Sequence, residues 1–166
     1  MHNQASFPPR ITVCVGAVVL RNDQVLFVRQ NYGALKGKWS IPWGFVDGKK
    51  PDGSLEPPDM TALRETKEEA GVTAEIEGLL GVQNHSNKEG ELRLYLLYLC
   101  RHVNGEPTPD NRETDKATYF SLEQMNDWDE PFDDFCKWIA RRVLQGEHRL
   151  IPPIPLNLYH PQLAFF

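Results

Sequence analysis

Arg64-Glu65-Thr66-Lys67-Glu68-Glu69-Ala70-Gly71-Val72 is the stretch on which the reading of this chain turns. On a helix, Glu65, Glu68 and Glu69 fall at i, i+3 and i+4 and share one face. Three carboxylates that close repel one another, so a positive charge belongs among them. Clustered carboxylate oxygens suit a hard cation such as Mg²⁺ or Mn²⁺. Arg64 lies beside Glu65 and four residues before Glu68, in reach to anchor a carboxylate through a bidentate bond. A solvated charged face is the plainer reading of such a run. Its surroundings favour a site: a Gly- and Pro-punctuated stretch precedes it, and a helix-ending glycine and a β-like run follow.

The helix limits are written in the flanks. Pro58 suits the first helical position, where a missing N–H costs little, and it forces Pro57 out of the α region. Gly71 fits a helix-ending C′ position. Upstream, Ile11 to Leu20 and Gln24 to Arg29 read as a hairpin across Arg21-Asn22-Asp23. Asn31 to Lys38 reads as a loop, Trp39 to Pro42 as a short extended piece, and residues 43–56 as an irregular loop. Downstream, Ala74 to Asn84 and Leu92 to Arg101 are long β-like runs around a polar turn, His85 to Gly90. Residues 104–112 read as a loop, Ala117 to Phe120 as a short strand, and Leu122 to Asn126 and Pro131 to Leu144 as two helices. This order implies a mixed sheet between helices. Residues 1–10 read as an arm, 11–150 as one domain and 151–166 as a Pro-rich tail packed on it or extending from it.

Composition narrows the function. The 166 residues carry a net charge of −5, which argues against a nucleic-acid backbone as partner. A small phosphorylated substrate fits if a metal supplies local positive charge. The longest apolar run near the start, Val13 to Leu20, is only strand length, so a membrane partner is not expected. Cys14, Cys100 and Cys136 are an odd number with no CxxC pair, which fits buried thiols in a reducing cytoplasm. Pairing into a homodimer is left open by the sequence.

The carboxylate segment resembles the box of the Nudix hydrolase family, G-x5-E-x7-R-E-U-x-E-E-x-G-U, with U aliphatic. Glu56, seven intervening residues and RETKEEAGV match all of it after the first glycine, with Thr66 in place of the first aliphatic residue. The likeness extends to the hairpin at Val15 to Arg29, to Trp39-Ser40-Ile41-Pro42-Trp43-Gly44 and to Tyr119-Phe120-Ser121-Leu122-Glu123, and so covers residues 11–126. It implies an α/β fold, a Nudix-type α/β/α sandwich with a mixed β-sheet. It also implies a Mg²⁺-dependent pyrophosphohydrolase, with Mn²⁺ able to substitute, that cleaves the diphosphate linkage of a nucleoside diphosphate joined to another group. Nucleotide sugars, ADP-ribose and nucleoside triphosphates all remain open. A catalytically silent nucleotide-binding sensor of the same fold is the alternative, and retention of Glu56, Glu65, Glu68 and Glu69 speaks for catalysis.

The resemblance implies roles. Glu68 and Glu69 become principal metal ligands facing solvent, Glu65 a further ligand or the base, Arg64 its orienting partner, and the carbonyl near Trp43 completes the shell. Glu113 or Asp115 offers a late-loop base. Arg29, at a strand end, is a candidate phosphate contact, and Trp39 and Trp43 are candidates to stack on a base, with core packing as the simpler alternative. Two departures stand out. Trp43 takes the place of a glycine, and eleven residues rather than five separate Gly44 from Glu56. A six-residue insertion explains the spacing; it reads either as a plain surface excursion or as a specificity loop that brings Lys49 and Lys50 toward the substrate.

Overall fold

The computed structural model describes residues 11–48, 53–86 and 91–154, together with Ala164 and Phe166. The arm at 1–10, Lys49 and Lys50, most of the turn at 85–90 and most of the tail lie outside them. In chain order the elements are β1 (Ile11–Arg21), β2 (Gln24–Gln30), a 3-10 turn at Gly33–Leu35, β3 (Trp39–Ser40) and β4 (Trp43–Phe45). They continue with α1 (Pro58–Ala70), β5 (Thr73–Ser86), β6 (Leu92–Asn104), β7 (Thr114–Phe120), α2 (Leu122–Asp127) and α3 (Asp134–Leu144). Among the described residues seven strands make one sheet, in the order β3-β2-β1-β6-β5, with β4 paired to β1 and β7 to β2. β1 and β6 run parallel from Ile11↔Leu92 to Leu20↔Arg101, and the remaining ladders are antiparallel. The expected mixed sheet between helices is what the chain forms.

The central strands are apolar on both faces because both are covered. Val15, Ala17 and Val19 of β1 and Leu26 and Val28 of β2 pack with Ala62 and Ala70 of α1. Their alternates Val18, Val25 and Phe27 pack with Phe120, Met125 and the α3 residues Ile139, Ala140 and Val143. Period-2 alternation thus sorts one hydrophobic run into two cores. Phe27 meets Phe120 and Phe132 edge-to-face at 5.8 and 5.0 Å, and Trp39 meets Phe120 at 5.0 Å. Truncating such a ring to alanine costs about 3–5 kcal/mol. The three cysteines are free and buried. No described helix is long and apolar enough to cross a membrane.

Two expectations need correction. Residues 43–45 are not irregular: they pair with β1, Gly16↔Trp43 to Cys14↔Phe45, because Pro42 and Val46 continue the ladder through Ala17 N–H and Val13 O at 3.0 Å each. α3 starts at Asp134 rather than Pro131, since the Asp133 carboxylate accepts from the Cys136 N–H at 2.9 Å and caps it. At the start of the tail, Ile151 exchanges both backbone hydrogen bonds with Leu79, at 2.8 and 3.0 Å.

Arg29 and Trp39 are also reassigned. The Arg29 guanidinium grips Asp115 with Nε and Nη2, both at 2.7 Å, and reaches Glu130 with Nη1 at 3.1 Å. Both edges are therefore committed to carboxylates of the fold, which leaves the guanidinium no free edge for the phosphate contact expected of it. Trp39 is 1% exposed, and its indole N–H donates to Glu130 at 2.8 Å. It is a core residue, with no face left for a base. Lys116 also donates to Glu130 at 2.5 Å. The cluster ties β2 to β7 and to the segment before α3.

This cluster has a pH signature. Arg29 holds the Asp115 carboxyl below its usual range, and Lys116, with Trp39 and Arg29, does the same for Glu130. A depressed folded value contributes stability above the unfolded value, about 4, that is lost as pH falls through the folded one. Arg29→Met should destabilise the chain by about 2 kcal/mol at pH 7. The deficit should shrink below about pH 4. Urea unfolding across pH checks this. A deficit independent of pH would remove the ionic explanation.

Candidate active site

α1 owes its position to its small face. Thr61, Ala62, Thr66 and Ala70 are buried against the sheet. Thr66, the departure from an aliphatic residue, is 0% exposed, and its hydroxyl donates to the Ala62 carbonyl at 2.8 Å. That internal bond lets a polar side chain occupy an apolar slot. Gly71 closes the helix in the left-handed region at φ 69°.

This packing turns Glu65 and Glu69 inward and leaves Glu68 in solvent, whereas the sequence reading had both Glu68 and Glu69 facing solvent. Glu65 is 8% exposed and Glu69 only 2%, while the Glu68 side chain is 57% exposed. Glu69 is held at both oxygens. The Trp43 backbone N–H donates to Oε2 at 3.0 Å, and the Gln30 amide donates to Oε1 at 3.3 Å. Burial pushes its carboxyl up to about 8 despite those bonds. Glu65 rises to about 7, again through burial, which outweighs the neighbouring Arg64.

Arg64 does not fork onto one carboxylate. It fans over three: Nε donates to Glu56 at 2.9 Å, and Nη1 lies 2.9 Å from Glu65 and 2.8 Å from Glu68. Glu65 in turn lies against β4. A Cβ at Gly44 would sit 2.2 Å from the Glu65 carboxyl, so any side chain there would displace that carboxyl from its present position. Gly44 therefore keeps its place beside the helix despite the altered spacing. The extra residues leave and return further on, where the Glu56 N–H donates to the Gly48 carbonyl at 2.7 Å. That bond closes the base of the excursion.

Glu65 and Glu68 line a cleft of about 310 Å³ with Arg64, Gly44, Trp43, Phe45, Asp47, Tyr32 and Glu113. Glu113 is exposed, and the Tyr32 hydroxyl donates to it at 3.4 Å. Of the two late-loop acids, Glu113 faces the cleft, while Asp115 is bound to Arg29. A second cavity of about 430 Å³ adjoins the first and shares Tyr32 and Trp43 with it. Among the described residues no three His, Cys, Asp or Glu side chains are gathered as a metal cage. The donor chemistry nonetheless fits a hard divalent cation. Four carboxylates line the cleft against one guanidinium, and burial leaves Glu65 poorly compensated.

Gln30, Tyr32 and Gly44 were not singled out from the sequence as site residues. Only a one-residue reach past the end of β2 marked Gln30, and a polar residue closing an apolar strand carries little signal. Arg29 and Trp39 belong elsewhere, and Lys49 and Lys50 fall outside the described residues.

The comparisons agree with this geometry. Among curated proteins the chain is 31% identical over 112 residues to a MutT-like protein of Streptomyces ambofaciens, covering 67% of this chain and 65% of that one. It is 22% identical over 130 residues to an ADP-ribose pyrophosphatase of Methanocaldococcus jannaschii, covering 76% of this chain and 73% of that one. Among solved structures it superposes on a MutT Nudix hydrolase from Burkholderia pseudomallei with a TM-score of 0.65 and 26% identity, covering 81% of this chain and 98% of the other. The model of the Nudix domain matches residues 10–139, which take in both the carboxylate helix and the sheet that carries it. The chain belongs to the Nudix family.

Proposed function

We propose that this Nudix hydrolase cleaves the diphosphate linkage of a nucleoside diphosphate joined to another moiety, with Mg²⁺ as cofactor and Mn²⁺ able to substitute. Nucleotide sugars, ADP-ribose and nucleoside triphosphates are the candidate substrates. The observation that carries the reading is the placement of Glu65. It is pressed against the bare Cα of Gly44 and held by Arg64 on the wall of a carboxylate-lined cleft.

A divalent cation bound there supplies charge against the diphosphate oxygens and acidifies water. Glu65, Glu68 and Glu69 would hold it, with the backbone at Trp43 alongside. Arg64 fixes the direction of Glu65. With its proton affinity near neutrality, the Glu65 carboxylate can take a proton from an attacking water. Glu113, on the opposite lip, is the second candidate for that proton. Lys49 and Lys50, which follow Gly48 in the sequence, are the candidate phosphate contacts of this reading.

Hydrolysis across a nucleotide panel should vanish with chelator and return with Mg²⁺ or Mn²⁺. Glu68→Gln should lower the rate about 100-fold or more without changing the melting temperature, because Glu68 is half exposed. Full activity in that variant would sink the assignment. Arg64→Lys keeps the charge but cannot span three carboxylates. It should reduce kcat more than metal affinity, and equal losses would remove the orienting role. Deleting six residues between Gly48 and Glu56 should leave the fold and metal binding intact and change KM or the substrate ranking. Unchanged kcat and KM across the panel would show the excursion to be idle.

A further inference from the structure

The cavity beside the carboxylate cleft has a different chemistry from the cleft itself. Its wall is mainly apolar and aromatic, with Tyr32, Trp43, Tyr95 and Phe135 contributing rings. Flat heterocycles stack on such walls. Its charged members are Arg93 on β6 and Asp133 at the start of α3. Asp133 is engaged, since it caps α3 through the Cys136 N–H at 2.9 Å. Arg93 is not among the ion pairs formed within the described residues. Its Nε is buried with no acceptor, and so is the indole Nε1 of Trp43. Both groups are donors only, and Gln30, Gln83 and Asp133 carry acceptor oxygens elsewhere on the same wall.

We propose that this cavity holds the base of the nucleotide and that Arg93 is its specificity-determining residue, favouring bases whose edge presents oxygen or ring-nitrogen acceptors over bases whose edge presents an amino group. The proposal rests on the nucleotide reading above and narrows it. Tyr32 and Trp43 belong to both cavities, so a base stacked there has its phosphates directed toward Glu65 and Glu68. A guanidinium meets the O6 and N7 acceptors of a 6-oxopurine in a two-pronged bond. The O4 of uracil offers one acceptor. The amino groups of adenine and cytosine would point donor against donor, leaving polar groups unpaired.

Binding of mononucleotides tests this without requiring turnover. Dissociation constants of GMP, IMP, UMP, AMP, CMP and base-free ribose 5-phosphate would be measured by calorimetry for the wild type, Arg93→Met and Arg93→Lys. GMP and IMP should bind about tenfold or more tighter than AMP, with UMP similarly ahead of CMP. Both variants should collapse these ratios and leave ribose 5-phosphate unchanged; the lysine variant, which retains the charge, serves if the methionine variant does not fold. AMP binding as tightly as GMP and IMP would overturn the proposal. So would a uniform loss that includes ribose 5-phosphate, because Arg93 would then be reading phosphate. Hydrolysis by the same proteins is scored separately. Selective binding without hydrolysis would sink the proposed activity and leave the role of Arg93 standing, while hydrolysis without selectivity would do the reverse.

Discussion

One guanidinium holds the active end of this molecule together. Arg64 is the cation among Glu56, Glu65 and Glu68, and each approaches it within 2.9 Å. Two like charges 4 Å apart cost about 4 kcal/mol at an effective dielectric of about 20. Without Arg64 the helix could not keep its acids partly buried and ionised together. The same side chain couples three parts of the chain: the body of α1, the residue where the excursion rejoins, and the strand on which Glu65 rests. A guanidinium can do this because its N–H groups diverge in a plane. An ammonium also has three donors, but all sit on one freely rotating nitrogen and cannot reproduce the fixed separation of Nε and Nη1.

The sheet gives that arrangement its rigidity. β1 is hydrogen-bonded along one edge to β6. On the other edge it changes partners, from β4 at residues 14–16 to β2 at residues 20–21. Clefts form where neighbouring strands part in this way, as they do at switch points in open α/β sheets. Here the parting brings β4 beneath α1, so that one short strand supplies the Trp43 N–H to Glu69 and the bare Cα of Gly44 to Glu65. Loss of either contact would loosen a carboxylate without touching the helix itself.

Much of this was legible beforehand. Pro58 and Gly71 bounded α1 correctly because backbone chemistry at helix ends is local. The β-rich runs of β1 and β2 announced a hairpin, and the i, i+3, i+4 glutamates announced a shared face. What failed to show was non-local. Nothing in the segment around Arg29 indicates that Asp115 and Glu130, 86 and 101 residues away, will occupy its guanidinium. Trp39 reads equally well as a base platform or a core residue, and only its neighbours Phe120 and Trp128 decide. The charge run by itself read as a solvated face, and it was the flanking residues that favoured a site. Burial of Glu69 depends on Gln30 and Trp43, which approach from two other strands. The excursion was visible as a spacing anomaly, but its point of closure at Gly48 required the backbone bond.

The parallel pairing of β1 with β6 bears on how such a chain comes into being. Ile11 finds Leu92 as its partner, so a ribosome must deliver most of the domain before the central ladder can close. Until then β1 is an apolar ribbon with two bare faces and an unpaired edge, the condition in which nascent chains associate wrongly. The hairpin with β2 is short-range and can form early, whereas the long loop between β1 and β6 makes sheet closure the slow event. α1 is made before β6, so the helix that carries the acids packs on a finished sheet only once that ladder has closed.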